Sequence, residues 1–168
     1  PIVFRSDRAE AGVGDLYVMS SDGRESLRVT RGGDFWLPRW APDGNAIVFR
    51  QQIGGVRAEV GLVAPDGSGL VLLTEGEPSV RFNNAANWSA DGERIAFASP
   101  GESLDPELTR IWVVSRAGGQ RERFASIEVR QAEGTWSLPD GERLTYSEVR
   151  NSSIVDLWLI DASGTTNL

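Results

Sequence analysis

The segment Asn87–Pro100, NWSADGERIAFASP, places a tryptophan, a polar turn and a short apolar run side by side. Two other segments keep the same order: RWAPDGNAIVFR from Arg39 and TWSLPDGERLTYSE from Thr135. Their tryptophans, Trp40, Trp88 and Trp136, follow one another at intervals of 48 residues. An Asp-Gly pair comes after each (Asp43-Gly44, Asp91-Gly92, Asp140-Gly141), then an apolar triplet: Ile47-Val48-Phe49, Ile95-Ala96-Phe97 and Leu144-Thr145-Tyr146. Ile2-Val3-Phe4 matches the triplet with no tryptophan segment ahead of it. A fixed period of this length marks a repeat architecture.

Two further elements follow in each copy. One reads DLYVMSSDG from Asp15, VGLVAPDG from Val60, RIWVVSRAGG from Arg110 and DLWLIDASG from Asp156; the other reads SLRVT from Ser26, LVLLT from Leu70 and RERFAS from Arg121. Each unit thus has a Trp strand (a), an apolar strand (b), a LYVM-type strand (c) and an LRVT-type strand (d). Short runs rich in Val, Ile, Phe, Tyr and Trp between Asp-Gly turns predict β-hairpins, and no window sustains a 3.6-residue apolar period. The fold class expected is all-β: a β-propeller of about four repeats of four-stranded antiparallel blades. The approximate repeats are 1–36, 37–84, 85–132 and 133–168. The first blade lacks strand a, and the last ends near TTNL with only a stub of d, so a partial propeller is expected. Stacked blades would bury the tryptophans and strand-b side chains between them.

The pattern W-[SA]-x-D-G-x-x-I-x-F followed by L-Y-V-M-x-x-D-G resembles the TolB-like, WD40-like propeller repeat called PD40, and the resemblance covers almost the whole chain. Ala90 stands where the repeat favours Pro, and Leu138 is an insertion in the last copy. The resemblance implies a rigid binding scaffold of the bacterial envelope, periplasmic or otherwise extracytoplasmic. It also leaves open the gating propeller of a prolyl-oligopeptidase-like serine peptidase and a carbohydrate-binding propeller. Members usually have six or more blades, which implies that this chain is a portion of a longer propeller, or else closes as a small ring or pairs with a second copy. The absence of an initiator Met fits a mature form or an excised piece.

Composition narrows the chemistry. The chain has 168 residues, no Cys, no His and no Lys, since all 17 basic residues are Arg. That composition excludes thiol and Ser-His-Asp nucleophilic catalysis, imidazole or thiolate metal sites and Schiff-base lysines. No catalytic residue, metal site or cofactor is assigned. The net charge of −7 disfavours nucleic acid, and no apolar run approaches the ~18 residues of a membrane helix. The carboxylates of SPGESLDPELT (Glu102, Asp105, Glu107) read as a solvated acidic loop, not a calcium site, and the Asp of each Asp-Gly pair reads as a turn cap. Asn87-Trp88-Ser89 and Asn151-Ser152-Ser153 match the glycosylation pattern, the first by chance beside a core strand.

In a meander, the short a–b and c–d turns share one rim and the longer b–c and d–a loops share the other. The long-loop rim mixes Arg with aromatic and amide side chains, the composition of recognition surfaces. Its candidate partner-binding residues are Arg31, Trp36, Arg57, Arg81, Phe82, Asn83 and Arg130. Trp36 would either face the channel mouth or cover the bare edge of the first blade. The partner expected is a protein or peptide, and open blade edges allow a homodimer.

Overall fold

The computed structural model describes residues 1–54, 57–75, 86–99, 108–124, 129–130, 132–137, 143–151, 154–161 and 164–167. Its first sheet has three strands in chain order, β1 (Ile2–Ser6), β2 (Asp15–Met19) and β3 (Ser26–Arg28). The second has four: β4 (Asp34–Trp40), β5 (Ile47–Ile53), β6 (Arg57–Val63) and β7 (Val71–Leu72). The third holds β8 (Asn87–Trp88), β9 (Arg94–Ser99), β10 (Leu108–Ser115) and β11 (Glu122–Arg123), with β12 (Val129–Arg130) pairing the start of β10. The fourth holds β13 (Ala132–Ser137), β14 (Leu144–Asn151), β15 (Ile154–Asp161) and β16 (Gly164–Asn167). All pairings are antiparallel, and no helix occurs among the described residues. The chain is therefore an all-β, incomplete propeller. Its first blade lacks strand a, and the strand read from the sequence as a stub in the last blade is the four-residue β16.

The Asp-Gly turns work by local hydrogen bonding. Between β4 and β5 the Ala41 N–H donates to the Ala46 carbonyl (2.8 Å), and the Asp43 carboxylate accepts from the Asn45 N–H (3.0 Å). Between β8 and β9 the same roles fall to Ser89 with Arg94 (2.9 Å) and to Asp91 with Glu93 (3.0 Å). Gly44 and Gly92 sit at φ of 72° and 75°, a region where a Cβ is strained.

Strand alternation then sends every second side chain of b and c toward each neighbouring blade. Phe35, Ile47, Phe49 and Val63 of the second blade meet Leu16 and Val29 of the first in the first interblade core, with Phe35 packed edge to face on Phe49 of its own blade (5.2 Å between centroids). The opposite side of the same strands, Val48, Val60 and Leu62, meets Trp88, Ile95 and Phe97 of the third blade. Ala96, Ala98 and Ile111 then meet Leu144, Tyr146 and Ile160 of the fourth. Each core is a two-blade product, and no blade buries its apolar residues alone. Trp88 is buried as expected, and Trp40 packs half-buried on the first core. Trp136 lies on β13, and its side chain is outside the described residues.

Candidate binding face

The long-loop rim between the first two blades is built on an irregularity in β4. Pairing with β5 runs Asp34↔Gln52, Phe35↔Gln51 and Trp36↔Arg50, shifts register, then resumes at Arg39↔Val48. Leu37, in the shift, has φ of 52°, and Pro38 follows it. A bulge of this kind re-aims side chains at a sheet edge. Here it turns Phe35 into the core and leaves Trp36 36% exposed.

Arg5 of β1 holds that indole in place. Its guanidinium lies 3.6 Å from the Trp36 ring centroid. Its Nη2 donates to Asp34 Oδ1 (2.9 Å) and its Nε to the Phe35 carbonyl (3.1 Å). The Gly14 N–H also donates to Asp34 Oδ1 (3.2 Å), and the Phe35 N–H to the Gly14 carbonyl (2.7 Å). Burial pushes the Asp34 carboxyl pKa up, but hydrogen bonds from Trp36, Arg5 and the Gly14 N–H outweigh it and hold the value below the ordinary one. Behind Trp36, Arg50 donates to Gln52 Oε1, while its Nε is buried with no acceptor. Desolvation pulls the Arg50 pKa below its ordinary value, against the charge of Asp34. The result is an exposed indole backed by a stacked cation, a form suited to recognition of a planar or apolar group.

The sequence placed Trp36 and Arg57 in loops; the structure places both in strands. β4 begins at Asp34, ahead of the bulge, and β5 and β6 pair out to Ile53↔Arg57. Arg57 is tied to the buried Glu59, donating from Nε (2.6 Å) and Nη2. Arg31 is exposed in the connection between β3 and β4. Arg130 is on β12 opposite Leu108, its side chain outside the described residues. Arg81, Phe82 and Asn83 lie wholly outside them.

Sequence reasoning missed a repeated buried acid. Asp15, fully buried, takes Arg28 Nη2 (2.5 Å) and the Thr30 hydroxyl (3.2 Å), and Thr30 Oγ1 in turn accepts the Leu16 N–H (2.9 Å). One blade on, fully buried Glu59 takes Arg57 and the Thr74 hydroxyl, and Thr74 Oγ1 accepts the Val60 N–H (3.0 Å). The signal was available: an acid directly precedes the apolar run of strand c, and a Thr closes the strand-d segment, in both copies. Among the described residues, no three His, Cys, Asp or Glu side chains form a metal-binding group.

No family model matches the chain. Its structure superposes on a TolB protein from Agrobacterium tumefaciens over 98% of this chain and 60% of that one, with a TM-score of 0.75 and 21% identity. TolB from Acinetobacter baumannii matches over 99% of this chain and 40% of that one (TM-score 0.74, 16% identity). The fold is that of a TolB-like β-propeller. The chain thus spans less than two thirds of either TolB chain. The TolB-like fold also matches a Pyrococcus horikoshii acylaminoacyl peptidase over 99% of this chain and 29% of the peptidase, with a TM-score of 0.65 and 15% identity. In sequence, a homoserine O-acetyltransferase of Corynebacterium efficiens is 26% identical over 79% of this chain and 36% of its own length.

Proposed function

We propose that the chain is a non-enzymatic binding module that receives a protein or peptide on the rim carrying Trp36, Arg31 and Arg5. One observation carries this reading: Arg5 is stacked on an exposed Trp36 and pinned by Asp34, so the indole is presented without the entropic cost of fixing it. The lack of His, Cys and Lys fits a surface that binds and does not react. The likeness to TolB supports a place in the bacterial envelope. A second reading, part of the propeller of a larger peptidase, draws on the match to the acylaminoacyl peptidase.

Selection of displayed peptides on the immobilised protein tests the first reading. Trp36→Ala should weaken the selected peptides at least about ten-fold, the loss of one aromatic anchor. Ser68→Ala, in a turn on the opposite rim, should leave them unchanged. Peptides indifferent to Trp36→Ala and Arg31→Ala would overturn it.

A further inference from the structure

The apolar run of strand b leads into an arginine in the first two repeats: Ile2-Val3-Phe4-Arg5 and Ile47-Val48-Phe49-Arg50. Arg5 shows what such an arginine takes. Its Nε donates to the Phe35 carbonyl and its Nη2 to the Asp34 carboxylate, both supplied by strand a of the next blade. Asp34 lies six residues ahead of Trp40. Six residues ahead of Trp88 the sequence has Phe82, and residues 79–87 contain no acid. The repeat that follows Arg50 therefore does not carry the carboxylate that Arg5 receives.

The structure shows the consequence at Arg50. Its Nη2 donates to the neutral amide oxygen of Gln52, and its Nε is buried with no acceptor. Loss of hydration holds its pKa below the ordinary value. Asp34, whose charge opposes that effect, spends Oδ1 on Arg5 and on the Gly14 N–H. Gln52 is itself held, donating its Nε2 to the Arg57 carbonyl (3.0 Å), and Arg57 is answered by Glu59. Among the described residues no carboxylate forms an ion pair with Arg50. The side-chain nitrogens of an arginine form a fork that a carboxylate grips with both oxygens. At Arg50 one prong is empty and another rests on an uncharged stand-in.

We infer that Arg50 is the receptor for a carboxylate of the peptide received on the Trp36 rim, borne by an Asp or Glu side chain or by a chain end. The carboxylate displaces the Gln52 amide oxygen and takes both Nη2 and Nε. Trp36 stands directly opposite Arg50 in the β4–β5 ladder, where side chains start about 5 Å apart. The residue beside the acid is therefore apolar or aromatic and rests on the indole. Arg50, Gln52 and Trp36 all belong to the second blade, whose four strands are present. The inference rests on the proposed role of the rim and names what that rim selects.

Three blocked probes test it on the intact protein: Ac-Phe-Asp-NH2, its amide counterpart Ac-Phe-Asn-NH2, and Ac-Phe-OH, which carries its acid at the chain end. Nuclear magnetic resonance follows the Arg50 Nε–H and the Trp36 indole N–H. The acids should shift both signals, and the amide should shift Trp36 alone and bind about ten-fold more weakly, the weight of a charged hydrogen bond. The tighter of the two acids tells a side-chain carboxylate from a terminal one. Gln52→Glu supplies the carboxylate from within, so it should raise the urea midpoint and erase the preference for acid over amide. Trp36 shifting equally with acid and amide while Arg50 stays unmoved would overturn the inference and leave the rim a binding face. An acid preference that survives Gln52→Glu would overturn it too. Arg50 responding to the acids while Trp36 ignores every probe would instead overturn the reading of the rim, and silence of both signals would overturn both.

Discussion

Replacing Trp88 and Trp40 separately by Phe separates the indole hydrogen bond from the packing of the ring. The two residues hold equivalent places in successive blades, and both substitutions delete the same atoms. Trp88 is 8% exposed, donates to the Arg39 carbonyl and lies under Arg116, whose guanidinium is 5.4 Å from the ring centroid. Trimming a buried indole to a phenyl removes about 1–2 kcal/mol of packing, well below the 3–5 of truncation to Ala. The lost hydrogen bond adds about 1 kcal/mol, so Trp88→Phe should cost about 2–3 kcal/mol. Trp40 is half-buried and its N–H is unpaired, so removing that group relieves a desolvated donor. Trp40→Phe should therefore cost about 1 kcal/mol or less. Urea unfolding followed by circular dichroism reads both as shifts in midpoint at constant slope. Equal losses, or a larger loss at Trp40, would refute the pairing of indole and carbonyl as the link between blades.

Thr74→Val keeps the shape of the side chain but leaves the buried Glu59 carboxylate without its hydroxyl donor and the Val60 N–H without an acceptor. It should cost about 2–4 kcal/mol in the same urea assay, against less than about 1 for a surface Thr→Val change. Acidification should also destabilise the fold. Backbone and side-chain hydrogen bonds hold the turn carboxylates Asp22, Asp43, Asp66 and Asp91 below their ordinary pKa. Their folded pKa values are depressed, so their contribution is complete above the unfolded value of about 4 and is lost as pH falls through the folded values. Melting temperatures should be flat from pH 7 to 5 and drop below about pH 4, with a shallower drop in Asp91→Asn; a rise on acidification would contradict the turn geometry.

The architecture was legible because its determinants are local and repeated. Trp40, Trp88 and Trp136 mark strand a, and the Asp-Gly pairs mark the hairpins with their own side-chain bonds. The tryptophan-lacking first unit also read correctly as a sheet without strand a. The candidate rim was less legible. Whether Trp36 lies on a loop or a strand depends on the bulge at Leu37, and that bulge follows from register against β5 rather than from neighbouring residues. The hold of Arg5 on Trp36 links residues 31 positions apart on different blades, with no motif to announce it. The buried acids Asp15 and Glu59 did recur visibly, yet an acid beside an apolar run reads as solvent-facing until a Thr that follows the next strand is seen to cover it.

The three interblade cores give the chain an internal hierarchy. Sheets two and three are clasped on both faces, whereas the first and fourth share one such core each among the described residues. Cohesion in such a row passes only between adjacent members, so amide exchange below the cooperative transition should be fastest in the two outer sheets, and the seam joining Val48 and Val60 to Phe97 should be the last to exchange.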